Sequence, residues 1–250
     1  MDLGLTNRTV IVTGASGGIG RHIARGFAAE GADVVITYRN SRSDAEQVAK
    51  EIGDRTLLIG YDLSDPAAPT ALVKQVLDWT GRIDVLVNNA VNWGADGLPQ
   101  GHFEDAPDDY WLPVLRANIE GALRLTRTVA PVLRERRWGR LVHVSSSVAE
   151  DGMPSGEYYG AAKAALHGFS KSAAIGLGRD GDILSNVVMP GLTRTDRNTE
   201  ITDAFGDHYS ALAPIGRLLD AAEVAGAVVY LGSAANTGIT GQVIRVTGGA

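Results

Sequence analysis

The sequence predicts a doubly wound α/β fold: a seven-stranded parallel sheet with helices on both faces. Seven short β-branched runs, at residues 9–13, 33–37, 56–59, 84–87, 141–144, 184–188 and 242–246, alternate with stretches long enough for helices. Each run is mostly apolar along its whole length, as a strand must be when both faces of its sheet are covered. A glycine-rich turn follows the first run directly and leads into a helical pattern over residues 21–30. These observations give a Rossmann-type arrangement, in which ligands bind beyond the carboxyl ends of the strands.

The bulk properties agree with that class. A chain of 250 residues with 44% hydrophobic content can bury one large core, so a single domain over residues 1–250 is expected. Formal charge is 23 minus 29, or −6, and the basic residues are scattered, which argues against a nucleic-acid surface. There is no cysteine, and His22, His102, His143, His167 and His208 lie too far apart for a ligand motif, so no metal is expected. No basic leader followed by a long apolar run opens the chain, and no apolar segment is long enough to span a bilayer. A cytoplasmic protein without membrane partners is the expectation.

The turn after the first run reads Thr13-Gly14-Ala15-Ser16-Gly17-Gly18-Ile19-Gly20. Glycines there let the backbone turn sharply and approach a diphosphate, while the helix that follows offers unpaired N–H groups at its positive end. Gly14, Ser16, Gly17, Gly18, Ile19 and Gly20 are therefore candidate cofactor residues. A literal G-x-G-x-x-G at residues 176–181 follows a helical stretch instead of a strand, and reads as a helix terminus. At the end of the second run, where an acidic side chain would accept from the ribose of NAD, stand Tyr38 and Arg39. Arg39, with Arg42 nearby, suits a 2′-phosphate, so the expected cofactor is NADP(H).

Tyr159 and Lys163 are four residues apart, and such residues share a helix face. An ammonium beside a phenol favours its ionised form, which would suit acid/base chemistry. The spacing alone fits a buried Tyr beside a snorkelling Lys equally well, so its surroundings decide. Tyr158 lies five residues from Lys163 and points off the shared face. Ser145, Ser146 and Ser147 end the fifth run about a dozen residues upstream. Two stretches resist the strand–helix pattern: 91–106, holding Trp93, Pro99 and His102, and 192–214, holding Arg194, Arg197, Phe205 and Tyr209. Each follows a strand at its carboxyl end, which makes both candidate pocket walls, the second a pocket-forming insert.

With the glycine turn, the serine run and Tyr159/Lys163 in this order, the chain resembles the short-chain dehydrogenase/reductase family, nearest to its 3-oxoacyl-carrier-protein reductase-like branch. The likeness runs from Thr13 to the ending Ile239-Thr240-Gly241-Gln242-Val243-Ile244-Arg245-Val246-Thr247-Gly248-Gly249. It implies that Asp62 and Leu63 contact adenine, that Asn89 and Ala90 follow the fourth strand beside the cofactor, and that Pro190, Gly191, Thr193 and Thr195 reach the nicotinamide end. It also implies a catalytic set of Asn118, Ser146, Tyr159 and Lys163, since the family's active Ser stands thirteen residues before its Tyr. In that scheme Tyr159 gives a proton to a ketone oxygen as hydride arrives, Ser146 binds that oxygen, Lys163 lowers the Tyr159 pKa and holds the nicotinamide ribose, and Asn118 keeps a water in the proton relay.

The resemblance further implies an NADPH-dependent ketoreductase, acting on a 3-oxoacyl thioester and assembling as a homodimer or homotetramer through the helix at 157–177. Two departures bear on the substrate. Val91 stands where the family usually has Gly, which reshapes the pocket lined by Val91, Trp93, Ser146, Met153 and Tyr159. Of two basic positions that would face an acyl carrier protein, Arg137 fits one and Asp180 occupies the other, a like charge that weakens encounter with an acidic partner. A free polyketide-derived or polycyclic ketone is the alternative substrate. A non-catalytic NADP-binding regulator is the alternative of another class, but all four catalytic positions are filled.

Overall fold

The computed structural model describes residues 1–94 and 101–250; Pro99, within the first expected pocket wall, lies outside the described residues. Along the chain come β1 (Thr9–Val12), α1 (Gly18–Ala29), β2 (Asp33–Tyr38), α2 (Arg42–Ile52), β3 (Thr56–Gly60), α3 (Ala68–Thr80) and β4 (Val85–Asn88). Then follow α4 (Asp108–Leu115), a wide π-turn (Arg116–Glu120), α5 (Gly121–Arg136), β5 (Trp138–Val144), α6 (Val148–Asp151) and α7 (Glu157–Gly178). The chain closes with β6 (Asp182–Pro190), β7 (Thr193–Arg194), α8 (Thr199–Leu212), β8 (Leu219–Asp220), α9 (Ala221–Leu231) and β9 (Val243–Val246).

Strands run in the order β3-β2-β1-β4-β5-β6-β9, all parallel. Alternation along each strand divides the core in two. Val10, Val12, Val34, Ile36, Val85 and Val87 face α1, α2 and α9, whereas Ile11, Val35, Leu86 and Leu141 face α3, α5 and α7. The order reverses between β1 and β4, which opens a crevice at their carboxyl ends. Both the glycine turn and the segment after β4 lie on that edge.

Two strands are longer than their apolar runs. The sequence places the fifth at 141–144 and the sixth at 184–188, but β5 begins at Trp138 and β6 extends over Asp182–Pro190, with Trp138 in register with Asp182. Arg140 interrupts the apolar pattern, yet it is fully buried. Its guanidinium donates to the carbonyls of Ser233, Gly139, Asp182 and Asn236 and to the Asp182 carboxylate, which satisfies a charge no hydropathy pattern would place inside.

The 192–214 stretch is not irregular throughout. It forms β7, which pairs with β8, and then the fourteen-residue α8. Ile201, Phe205, Tyr209 and Leu212 recur at helical spacing on α8, the period of an amphipathic helix, and all four are exposed. Among the described residues, no helix is long and apolar enough to cross a membrane.

Candidate active site

The glycine turn is held open by one side chain on β2 and two just past the ends of β1 and β4. The Thr37 hydroxyl accepts the Gly14 N–H at 3.1 Å. The Thr13 hydroxyl accepts the N–H groups of Asn89 and Ala90 at 2.9 and 3.0 Å, and the Asn89 amide donates back to the carbonyls of Thr13 and Gly14. Thr37 carries no motif signal, yet together with Thr13 it fixes the turn. Gly14 and Gly18 adopt left-handed φ values of 64° and 53°. A Cβ on Gly20 would stand 2.2 Å from the Gly14 carbonyl oxygen, and one on Gly14 2.9 Å from the Ala90 Cα. Backbone without side chains of its own leads into α1, the cradle a dinucleotide diphosphate needs, so the turn fits that group, with the Gly18 N–H held by Asp196 in this structure.

The side of the turn on which β2 ends is marked by charge. Tyr38 ends β2, and Arg39 follows on the exposed rim. Hydrogen bonds from Ser64 hold the Asp62 carboxyl below its ordinary range, and the Arg39 charge adds to that effect, so the two residues share one edge. Leu63 packs where a side chain on Gly121 would otherwise stand, 2.9 Å from that Cβ position.

The π-turn explains Asn118. Its amide donates to the Val114 carbonyl at 2.8 Å, the acceptor that an ordinary helix would pair with the N–H of Asn118 itself. It also grips the backbone of Asn92 from both sides, accepting from its N–H at 2.9 Å and donating to its carbonyl at 2.6 Å. Asn118 thereby sets the start of the wall that carries Trp93.

α7 brings Tyr159 and Lys163 onto one buried face, with 7% and 3% of their surface exposed. Burial pushes the Tyr159 phenol above its ordinary value, and the neighbouring Ser146 side chain opposes the shift. Lys163 Nζ donates to the Val144 carbonyl at 2.8 Å and lies 5.7 Å from the centroid of the Tyr159 ring. Burial pushes the Lys163 pKa down to about 8. No lowering of the phenol by Lys163 accompanies this arrangement: the ammonium donates to Val144, and desolvation sets the direction.

The neighbouring serines and Tyr158 have partners of their own. Ser145 bonds the Lys163 carbonyl at 3.2 Å and His167 Nε2 at 2.8 Å, and the Ser147 N–H donates to Pro190. Tyr158 donates to the Phe103 carbonyl at 2.7 Å and stacks on Trp111, which leaves it away from Ser146. Trp93 stacks on Tyr159 with centroids 4.1 Å apart. Val91 and Trp93 are partly exposed beside it, and Met153 is half-buried after α6. Phe205 and Tyr209 lie on the exposed surface of α8.

The segment after β6 is braced internally. Thr193 donates to the Gly191 carbonyl, while Thr195 donates through its N–H and hydroxyl to the Asn198 side chain at 2.9 and 2.8 Å. Asp196 then reaches the N–H of Gly18. That contact joins residues 178 positions apart and has no local sequence signal.

A family model described as Enoyl-(Acyl carrier protein) reductase matches residues 14–250. The chain is 37% identical to Nodulation protein G of Rhizobium sp. (strain N33), covering 98% of this chain and 97% of the relative. It is 34% identical to 3-oxoacyl-[acyl-carrier-protein] reductase FabG of Escherichia coli (strain K12), covering 97% and 96%. A solved structure described as a short chain dehydrogenase/reductase family protein superposes with a TM-score of 0.86 at 34% identity, covering 100% of this chain and 98% of the other.

Proposed function

This chain belongs to the short-chain dehydrogenase/reductase family, and from that premise we propose that it reduces a ketone to a secondary alcohol at the expense of NADPH. It is an oxidoreductase acting on ketone or alcohol groups. The observation that carries the reading is the single buried face of α7 that bears both Tyr159 and Lys163, with Ser146 beside the phenol.

When bound, the nicotinamide supplies the hydride. Ser146 donates to the substrate carbonyl oxygen and orients it. Tyr159 holds its proton firmly because it is buried, and releases it as negative charge grows on that oxygen, which becomes the stronger base. Lys163 holds the nicotinamide ribose and supplies positive charge under the phenol. Asn118, through Asn92, fixes the wall against which the substrate lies and keeps a water in the proton path. Gly14, Ser16, Gly17, Gly18, Ile19 and Gly20 receive the diphosphate, Asp62 and Leu63 flank the adenine, and Pro190, Gly191, Thr193 and Thr195 border the nicotinamide.

The pH profile follows from two groups. Tyr159 is raised, so it keeps its proton well above neutrality; Lys163 sits near 8, so it is charged below that pH and loses its charge as pH rises through it. The reductive rate is expected to hold steady below pH 8 and fall above it. Lys163→Arg, whose guanidinium stays charged, should move the fall to higher pH in whatever activity survives. A wild-type rate unchanged from pH 7 to about pH 9.5 would remove the Lys163 charge from the limiting step.

Arg39 and Tyr38 support NADPH over NADH, because β2 ends on Tyr38 and is followed by Arg39, with no acidic residue at that position. Arg39→Asp is expected to weaken NADPH by about tenfold or more, the worth of one charge-assisted pair, and to spare NADH. Fluorescence titration with both cofactors checks it, and equal losses would sink the assignment.

The names of relatives support a 3-oxoacyl thioester as substrate. A free bulky ketone is favoured by two features of this chain. Trp93 lays an aromatic face on Tyr159, and Asp180 pairs with Arg134 at 2.6 Å, neutralising a cation on the surface where an acidic carrier would dock. Following NADPH absorbance with β-ketoesters, 3-oxoacyl thioesters, quinones and polycyclic ketones ranks these classes. Turnover of none, with NADPH bound tightly, would favour the regulator. Association through α7, where Ala161, Gly168 and Ile175 are exposed, is proposed to give a homodimer or homotetramer.

A further inference from the structure

Two consecutive residues of the segment after β6 reach back to the glycine turn. Asp196 Oδ1 accepts the Gly18 N–H at 2.9 Å, and Oδ2 pairs with Arg21 at 2.8 Å, which pins the segment to the head of α1. The next residue, Arg197, lays its guanidinium on the bare Cα of Gly17. A Cβ built at that position would stand 2.5 Å from Nε and 2.7 Å from Nη2. Gly17 has an extended φ of −168°, which any residue adopts, so its backbone does not require glycine. What the missing side chain makes room for is Arg197. The same guanidinium reaches the Asp44 carboxylate in the first turn of α2.

We propose that Arg197 is a phosphate ligand of the bound dinucleotide, held on Asp44 until a phosphate replaces that carboxylate. The proposal rests on the dinucleotide reading of the glycine turn. A diphosphate approaches such a turn at the head of α1, and the adenosine ribose is read at the end of β2, just before α2. A guanidinium set between Gly17 and Asp44 lies between those two places. Its planar fork matches two oxygens of a carboxylate or of a phosphate with the same geometry, so one can replace the other. The ion pair with Asp44 is half-exposed on both sides, 46% and 43%, and such pairs add little to stability.

Isothermal titration of Arg197→Gln and Asp44→Asn with NADPH and NADH tests this. Arg197→Gln should weaken binding about tenfold, and Gly17→Ala, whose methyl takes the place of the guanidinium, should reproduce the loss. Asp44→Asn should bind as tightly as wild type or tighter, because the competing carboxylate is gone. Loss confined to NADPH assigns the contact to the ribose phosphate, and equal loss for both cofactors assigns it to the diphosphate. Wild-type affinity in Arg197→Gln overturns the proposal, as does equal weakening by Arg197→Gln and Asp44→Asn, the pattern of a purely structural ion pair. Wild-type protein that binds neither dinucleotide would instead refute the cofactor reading and this proposal with it.

Discussion

Tyr159→Phe is expected to lower kcat for ketone reduction about a thousandfold, inside the range a positioned general acid contributes, while NADPH affinity stays near its original value. That loss corresponds to roughly 4 kcal/mol of barrier. The substitution removes one oxygen from a ring that keeps its stacking on Trp93 and its burial on α7, so the fold should survive. Ser146 still binds the substrate carbonyl, but no side chain supplies the proton. Tyr158→Phe is the matched control: it removes a hydrogen bond to Phe103 and leaves the Ser146–Tyr159 pair intact, so most of the rate should remain. Single-turnover absorbance measurements on both variants decide the matter, and a Tyr159→Phe enzyme near the wild-type rate would refute the acid role.

Gly20→Ala should act on the cofactor and the fold together. Its Cβ would enter to 2.2 Å from the Gly14 carbonyl oxygen and 2.6 Å from the Asn89 amide, and neither the backbone of the turn nor the clamped Asn89 can yield without disturbing the other. Overpacking of this kind costs about 1–3 kcal/mol, a fall of about 5 °C in Tm for a chain of this size, and NADPH affinity should drop at least about tenfold. Gly176→Ala, in the second glycine motif, meets nothing within 4 Å and lies within a helix. It should stabilise the protein by about 0.5–1 kcal/mol and leave NADPH affinity alone. Thermal melts and cofactor titrations of the pair separate the two motifs; similar behaviour of both variants would undo the assignment of the turn at 13–20.

The sheet was legible wherever apolar strands were bounded by turns, and the first four strands lie within a residue or two of the runs that predict them. Arg140 shortened the fifth run because its burial depends on carbonyls from distant loops. α8 does carry a helical apolar period at Ile201, Phe205, Tyr209 and Leu212, set among polar residues that obscure it, and β7 and β8 are too short to leave any period. In the site, Tyr159 and Lys163 could be paired from spacing because a single helix sets their geometry, whereas Ser146 was singled out from Ser145 and Ser147 by the family resemblance. Thr13, Thr37, Asp196 and Arg197 act through contacts between segments remote in sequence, so their roles emerge only once the sheet has brought those segments together.

The π-turn at Arg116–Glu120 can be regarded as one extra residue spliced into what would otherwise be a continuous rod made of α4 and α5. Excising a residue there would restore ordinary helical pairing, and each residue turns a helix by about 100°. Everything upstream would rotate by that angle relative to α5. Val114 would leave its place beneath Asn118, and Trp111 would swing off Tyr158. The better-formed helix would aim its contents wrongly. The chain keeps a locally inferior helix because the phase error it introduces points Asn118 at the loop behind β4.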